Sequence, residues 1–360
     1  MITTPVVAIF GYNNTRIYDV VKLREIIRER LNARVLLVKG DLNDDDRKIT
    51  PYHLDFKPES VSVIAPLRTY LEDHQLHLLG CLPFSDKGVI GAAACAKEFG
   101  LFYDDLATAP AMLDKSLFRK LEASLSLDPS LYKKPFFEAI HTLEQAGRLL
   151  ARKGGFFIKP IAEGNSRGCM QINSLADLQR WGEQNSSALV NGAICEETLS
   201  TQNEYSFDGI DGSYWITQKF TTQGAYRAEY QHIVPAPFAP QTEAKIRETL
   251  IPLMKDLGSN GGAMHHEFFL LEDGRVASVE PNRRPAGMWL WDLAQWSFQG
   301  FNPWNRWVDR CARKGAPSSL QPLEKKNFSG VRGVISPDNG ILIAVAAEQM
   351  EKDLLETLGA

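Results

Sequence analysis

His265-His266-Glu267-Phe268-Phe269-Leu270-Leu271-Glu272-Asp273-Gly274-Arg275-Val276-Ala277-Ser278-Val279-Glu280-Pro281-Asn282-Arg283-Arg284 holds two strand-like runs on either side of an Asp-Gly dipeptide. Asp-Gly between apolar runs is a strong hairpin signal with a two-residue turn. Paired residues then have numbers that sum to 547, which sets Glu267 opposite Glu280 and His265 opposite Asn282. Carboxylates directly opposite each other have Cβ atoms about 4.5–5.5 Å apart, and like charges there destabilise the sheet. A hard divalent cation between them resolves the conflict. Asn282 and Arg284 follow Glu280 at steps of two, on the same face of a continuing strand. Two glutamates and an asparagine amide suit Mg²⁺, which takes a few protein oxygens and completes its shell with substrate phosphates. An exposed polar face on an edge hairpin is the alternative. Pro281 cannot donate to the ladder and marks an edge or a bulge.

Towards the N-terminus, Glu243 to Leu257 reads as an amphipathic helix stopped at Gly258. Tyr205 to Ile210 and Tyr214 to Phe220 flank Asp211-Gly212, a second hairpin. Leu189 to Cys195, Cys169 to Ile172 and Phe156 to Pro160 are strand-like, and Ser174 caps a helix from Leu175. This half predicts an α+β unit with an antiparallel sheet. The first hundred residues differ. Strand-like runs at Val6–Phe10, Val35–Val38, Val61–Ala65 and Leu78–Leu82 alternate with helical spacing over Ile17–Leu31 and Gly88–Glu98. That alternation predicts a doubly wound parallel sheet. The expected organisation is an α/β N-terminal domain at 1–105 and a helical linker at 106–150, with helices over Leu113–Leu125 and Phe136–Leu150. The α+β domain follows at 151–315, then a short C-terminal segment at 316–360.

Composition excludes several classes. The chain has 360 residues, with 40 basic and 44 acidic side chains and a formal charge of -4, so no basic surface marks a nucleic-acid binder. The five cysteines lack zinc-ligand spacing and read as scattered reduced thiols. No run of about 18 apolar residues predicts a membrane span. No basic region precedes an apolar stretch at the N-terminus, so no signal peptide is expected and the cytoplasm is the expected compartment.

Glu267, Glu280, Asn282 and Arg284 in this order and spacing resemble the metal-binding motif of the ATP-grasp superfamily, in its carboxylate-amine ligase branch. The likeness is to L-amino acid ligases and, more distantly, to biotin carboxylase. The resemblance implies that Glu267, Glu280 and Asn282 hold Mg²⁺, with Mn²⁺ as a substitute, on the phosphates of ATP. It implies that Arg284 contacts the acyl phosphate or the substrate carboxylate. Two lysines would meet the phosphates. The first is Lys115 in Asp114-Lys115, and the second is Lys159 on the apolar strand Phe156–Pro160, where a charge is costly to desolvate without an anion.

Glu163-Gly164-Asn165-Ser166-Arg167-Gly168 resembles the family's phosphate-covering loop, with Gly164, Ser166 and Gly168 as nucleotide contacts. Glycines there admit close approach of backbone N–H groups to phosphate. Gly164 to Gly168 also fits a nucleophile elbow, but that needs a helix straight after the serine, and Cys169 to Ile172 reads as a strand. Glu196, Glu197 and Leu199 match the family's adenine-lining stretch, and Glu204 its ribose-binding acid. No P-loop or Gly-x-Gly-x-x-Gly sequence is present. Tyr226, Arg227, Glu229 and His232 form a polar stretch that approaches the substrate in the family, with a surface loop as the equal alternative. Trp289 and Trp291 are candidates for the pocket wall or, equally, for the core.

The resemblance implies an ATP-dependent, ADP-forming ligase. A carboxylate attacks the γ-phosphoryl group, and an amine then attacks the resulting acyl phosphate, giving an amide or peptide bond. The implied partners are a small carboxylate and an amine, an amino acid among them, with a homodimer as the assembly. The alternatives are an ATP-grasp carboxylase or purine-pathway-type enzyme, a nucleotide-binding regulator without catalysis, and the serine hydrolase.

Overall fold

The computed structural model describes residues 3–161, 164, 167–199, 201, 203–222, 229–333, 352 and 356. The N-terminal elements are β1 (Thr4–Phe10), α1 (Ile17–Leu31), β2 (Arg34–Val38), α2 (Asp44–Ile49), β3 (Tyr52–Leu54), α3 (Ile64–Asp73), β4 (Leu76–Pro83) and α4 (Val89–Glu98). The four strands form a parallel sheet in the order β3-β2-β1-β4. Alternate residues of β1 and β2 face opposite sides. Val7, Ile9, Val35 and Leu37 pack with Val20, Leu23 and Ile27 of α1. Val6, Ala8, Leu36 and Val38 pack with Leu67 and Leu71 of α3 and Ala92 of α4. The sheet is therefore covered on both faces, as the alternation predicts.

One expected strand is a helix instead. Val61–Val63 is a 3₁₀ turn that runs into α3. The Ser60 hydroxyl accepts from the Ser62 N–H, and Pro66 falls in the first turn of α3, where no amide donor is needed. The third strand along the chain is the shorter β3, at the edge of the sheet.

The second group comprises α5 (Lys115–Ser124), β5 (Phe137–Ile140), α6 (Leu143–Lys153), β6 (Phe156–Pro160), β7 (Met170–Ile172), α7 (Leu175–Gln184), α8 (Ala188–Asn191) and β8 (Ala193–Glu196). Its antiparallel sheet has the order β5-β8-β6-β7. The helix expected over Phe136–Leu150 is thus a strand followed by a helix. Thr142 and Gln145 form a capping box that starts α6 in the middle of the apolar pattern. The run Leu189–Cys195 also divides, with a short helix before Gly192 and strand only from Ala193.

The third group comprises β9 (Glu204–Ile210), β10 (Ser213–Thr221), β11 (Glu229–Val234), α9 (Pro240–Asp256), β12 (Met264–Leu270), β13 (Val276–Asn282), α10 (Leu290–Ser297), α11 (Pro303–Ala312) and β14 (Ser329–Arg332). Six antiparallel strands run in the order β13-β12-β9-β10-β11-β14. Asp211 and Gly212 both have positive φ, at 47° and 81°, which makes the expected two-residue turn between β9 and β10. Trp291 is core, packed among Trp215, Trp304 and Trp307, whereas Trp289 is 53% exposed. Among the described residues, no helix is long and apolar enough to cross a membrane.

The β12–β13 hairpin reaches the predicted register by another route. The Gly274 N–H donates to Leu271 O and the Leu271 N–H donates to Arg275 O, so three residues turn the chain, with Gly274 at φ 81°. Phe268 then faces Ser278, one step off the predicted register. A bulge between Glu267 and Phe268 on one strand, and across Val279 on the other, restores it. Beyond the bulge Glu267 faces Glu280 and His265 faces Asn282.

Candidate active site

β12, β9 and β10 present one common face. Ser206 of β9 lies opposite Glu267 and Thr217, Asp208 lies opposite His265, and Glu204 lies opposite Lys219. On this face Lys219 is wholly buried in side chain. Its Nζ stands 2.9 Å from Glu204 Oε1, 2.6 Å from Glu229 Oε1 and 2.8 Å from Glu267 Oε1. Carboxylate oxygens of these three glutamates lie within 4.8 Å of one another. His265 Nε2 also meets Glu267 Oε1 at 3.2 Å, and its Nδ1 meets Asp208 Oδ1 at 2.7 Å. Asp208 Oδ2 accepts from Ser206 Oγ and Thr217 Oγ1, which fixes the carboxylate that orients the imidazole.

Burial works against every charge here, and the neighbours decide the outcome. Burial raises the Glu267 carboxyl, but Lys219 and His265 outweigh it and hold the group well below the ordinary range. Burial also raises Glu229, yet Lys219 and His232 bring it to about 2. Glu204 stays raised, because burial and the Glu267 charge prevail over its contact with Lys219.

Glu280 faces this cluster from β13, with Lys115 Nζ 3.3 Å from its Oε2. Lys115 begins α5, and its N–H lies 3.5 Å from Ile161 O, just past the end of β6. Lys159 of β6 is 8% exposed and bonds Glu196 Oε2 at 2.7 Å. The two lysines and two glutamates share one neighbourhood. The Cys169 thiol is raised by burial, lowered by Lys159 and Lys115, and raised again by Glu280 and Glu196. The oxygens of Glu267, Glu280 and Asn282 fit a hard divalent cation. Asn282 is 3% exposed, and its Nδ2 finds no hydrogen-bond partner among the described residues, so the amide orientation is not claimed by the protein.

The remaining predicted residues separate into groups. Glu196 Oε1 accepts from Arg119 Nε at 2.7 Å, and Arg119 with Lys159 brings this buried carboxyl down to about 2 against the effect of burial. Its backbone lies inside the sheet, opposite Phe137 on one side and Phe157 on the other. Glu197 pairs with Lys133 at 2.9 Å, and its N–H donates to Phe136 O. Leu199 O accepts from the Thr201 N–H. Glu204 stands with the acids around Lys219. Gly164 has open space around its Cα, whereas a Cβ at Gly168, where φ is 69°, would come within 2.7 Å of Asn185 Oδ1. Glu163, Asn165, Ser166, Tyr226 and Arg227 lie outside the described residues. Arg284 forms a two-pronged pair with Asp86, at 2.9 and 3.2 Å, from the turn before α4.

No protein-family model matches the sequence, and no curated protein matches it. Solved structures do resemble the fold. An L-amino acid ligase from Bacillus licheniformis aligns with a TM-score of 0.74 at 16% identity, over 97% of this chain and 85% of that one. An N5-carboxyaminoimidazole synthetase from Staphylococcus aureus complexed with ADP aligns with a TM-score of 0.67 at 13% identity, over 99% and 87%. The biotin carboxylase domain dimer of Hydrogenobacter thermophilus 2-oxoglutarate carboxylase, in complex with MgADP, ADP and bicarbonate, aligns with a TM-score of 0.68 at 13% identity, over 92% and 74%. This chain has the ATP-grasp fold.

Within the ATP-grasp scaffold the structure adds residues that the sequence reading missed. Lys219 sits in Thr217-Gln218-Lys219-Phe220, an ordinary strand ending whose alternation places the lysine on the buried face. That alternation was the available clue. Arg119 and Asp86 carry none, because Glu196 and Arg284, the partners that tie them to the site, are remote in sequence.

The buried His265 makes a pH dependence. Burial lowers its pKa, but Asp208 and Glu267 raise it to about 9 from 6.5. A group with a raised folded pKa contributes stability in full below its unfolded pKa and loses it as pH rises through the folded value. At about 1.4 kcal/mol per unit, the interval amounts to roughly 3 kcal/mol. Urea unfolding of the metal-free protein is therefore expected to show wild type losing stability between pH 6.5 and 9 relative to His265→Asn. Parallel profiles for the two proteins would refute a charged His265.

Proposed function

We propose that this chain is an ATP-dependent carboxylate-amine ligase that forms an amide or peptide bond through an acyl phosphate, with an amino acid among its substrates. The observation that carries this reading is the register of Glu267 against Glu280, with Lys115 and Lys159 standing on carboxylates of the same neighbourhood. The Lys159 ammonium on the buried Glu196 and the Lys115 ammonium on the partly exposed Glu280 are cations that a triphosphate can draw onto its own charge. When bound, Mg·ATP would supply the transferable γ-phosphoryl group, and its Mg²⁺ would offset negative charge on the phosphates. In this reading Glu267, Glu280 and Asn282 hold the cation. Lys115 and Lys159 shift from Glu280 and Glu196 towards the phosphates.

Arg284 clamps the carboxylate of the acid substrate, for which a guanidinium offers two parallel donors. Its pairing with Asp86 engages Nε and Nη2 and fixes the guanidinium just past β13, with the Nη1 and Nη2 edge left to meet the substrate carboxylate. The main contribution of these residues is positioning and charge stabilisation. The loop around Gly164 to Gly168 excludes water from the labile intermediate. A homodimer in the cytoplasm, with domains at 1–105, 106–150, 151–315 and 316–360, completes the proposal.

The test is phosphate release from Mg·ATP with pooled amino acids and small acids, followed by mass spectrometry of the products. Release that requires both an acid and an amine, with a condensed amide as product, is the expected result. Release driven by bicarbonate alone would favour a carboxylase instead, and absence of ATP binding would end the ligase reading.

A further inference from the structure

We propose that Lys219 is a positioning residue for the metal-binding glutamate Glu267, clamping one carboxylate oxygen so that the other is presented to the cation. The inference rests on the ligase reading above and names a residue that this reading does not use.

Three facts carry it. Lys219 Nζ and His265 Nε2 both converge on Oε1 of Glu267, at 2.8 and 3.2 Å, and leave Oε2 to other partners. The ammonium is itself anchored by Glu204 on the neighbouring strand and by Glu229 on β11, so it cannot follow Glu267 if that side chain swings. Finally, the lysine side chain is wholly buried and Glu267 is largely so, so water screens their contact much less than a surface pair.

The physical need is plain. Three carboxylates whose oxygens lie within 4.8 Å of one another repel, and without a central cation Glu267 would rotate away from the cluster. Lys219 gathers the three and restricts Glu267 to one rotamer. His265, fixed by Asp208, fastens the same oxygen from the other side. Partners that orient a metal ligand in this way typically change metal affinity 10–100-fold when removed. The lysine therefore acts through Glu267, not on the substrate.

The test is the coupling between metal and nucleotide, measured by calorimetry. ADP affinity is determined with and without Mn²⁺ for wild type and Lys219→Met. The expected result is that Mn²⁺ strengthens ADP binding in wild type and that this gain falls at least tenfold in Lys219→Met. Metal-free ADP affinity should change several-fold less than the metal gain, because Lys115 and Lys159 are untouched and Lys219 reaches the nucleotide only through Glu204. A merely structural lysine would weaken both measurements together, and that result overturns the proposal. So does an unchanged Mn²⁺ gain.

Lys219→Arg keeps a charge among the three glutamates if methionine does not fold there. Its larger fork cannot keep a single donor on Glu267 Oε1, so the gain should fall at least threefold. An intact gain in a folded arginine variant overturns the proposal equally. If wild type binds no ADP at all, the ligase reading fails and this inference fails with it. If ADP binds and the metal gain survives the substitutions, only the role of Lys219 is lost.

Discussion

Glu280→Gln is expected to lower acid- and amine-dependent phosphate release by roughly 10²–10³-fold while leaving the fold intact. The magnitude is that of losing one fixed group aimed at transition-state charge. Glutamine keeps the shape and one acceptor oxygen and removes the negative charge. The fold should tolerate the change for a local reason. Glu280 faces Glu267 across the ladder, so the substitution removes one of two opposed like charges. Its side chain keeps a quarter of its exposure, and Lys115 retains an amide oxygen within reach. The effect on stability should therefore stay near 1 kcal/mol or less. The deciding measurements are kcat for phosphate release and the thermal midpoint of the same preparation. A full rate with Glu280→Gln would remove this carboxylate from the machinery and leave the hairpin argument without its central pair.

The sequence made the hairpin legible because its signals are local. Asp273-Gly274 marks the turn, and alternation puts Glu267, Glu280 and Asn282 on one side. The register came out right through two errors that offset each other: the turn took three residues, and the bulge at Val279 returned the missing step. Nothing local announces a bulge, since it depends on what lies against the strand. Helix α1 is legible for a similar local reason: its apolar spacing runs from Ile17 to Leu31, and the structure ends it there with Asn32 in the left-handed region. Val61–Ala65 misleads because four of its five residues are small or branched and apolar and suit a strand, while Ser60 and Pro66 supply a helix start that outweighs them. The contacts that complete the site span long separations. Arg119 and Glu196 are 77 residues apart, and Arg284 and Asp86 are 198 apart. Such pairs exist only once three sheets have been assembled, so residue spacing cannot disclose them.

Arg119→Met is expected to cost about 3–5 kcal/mol, the range for removing one member of a buried ionic network. Arg119 is 1% exposed and donates at 2.7 Å to Glu196, at 2.7 Å to Glu122 and at 2.9 Å to the Ser278 carbonyl. Methionine fills much the same volume but leaves two buried carboxylates short of a cation. Lys159 would remain for Glu196, while Glu122 would keep only the Tyr132 hydroxyl. The same network borders the bulge. Lys115 and Arg119 are four apart on α5, about 6 Å along a helix. Glu280 and Ser278 are two apart on β13, about 6.6 Å along a strand. The helix therefore lies along the edge strand with Lys115 on Glu280 and Arg119 on Ser278, and Val279 between them is the bulged residue. Arg119 holds the carbonyl beside the bulge, and the bulge sets Glu280 against Glu267. Denaturant unfolding of Arg119→Met should thus show the loss of stability, and Mn²⁺ should strengthen ADP binding less in the folded fraction than in wild type. Arg119→Lys should fall between the two proteins, because one ammonium cannot reach three partners spread over a guanidinium fork. A loss below about 1 kcal/mol in the methionine variant would mean that water reaches Glu122 and Glu196, and the coupling of helix, bulge and metal pair would then have to rest on Lys115 alone.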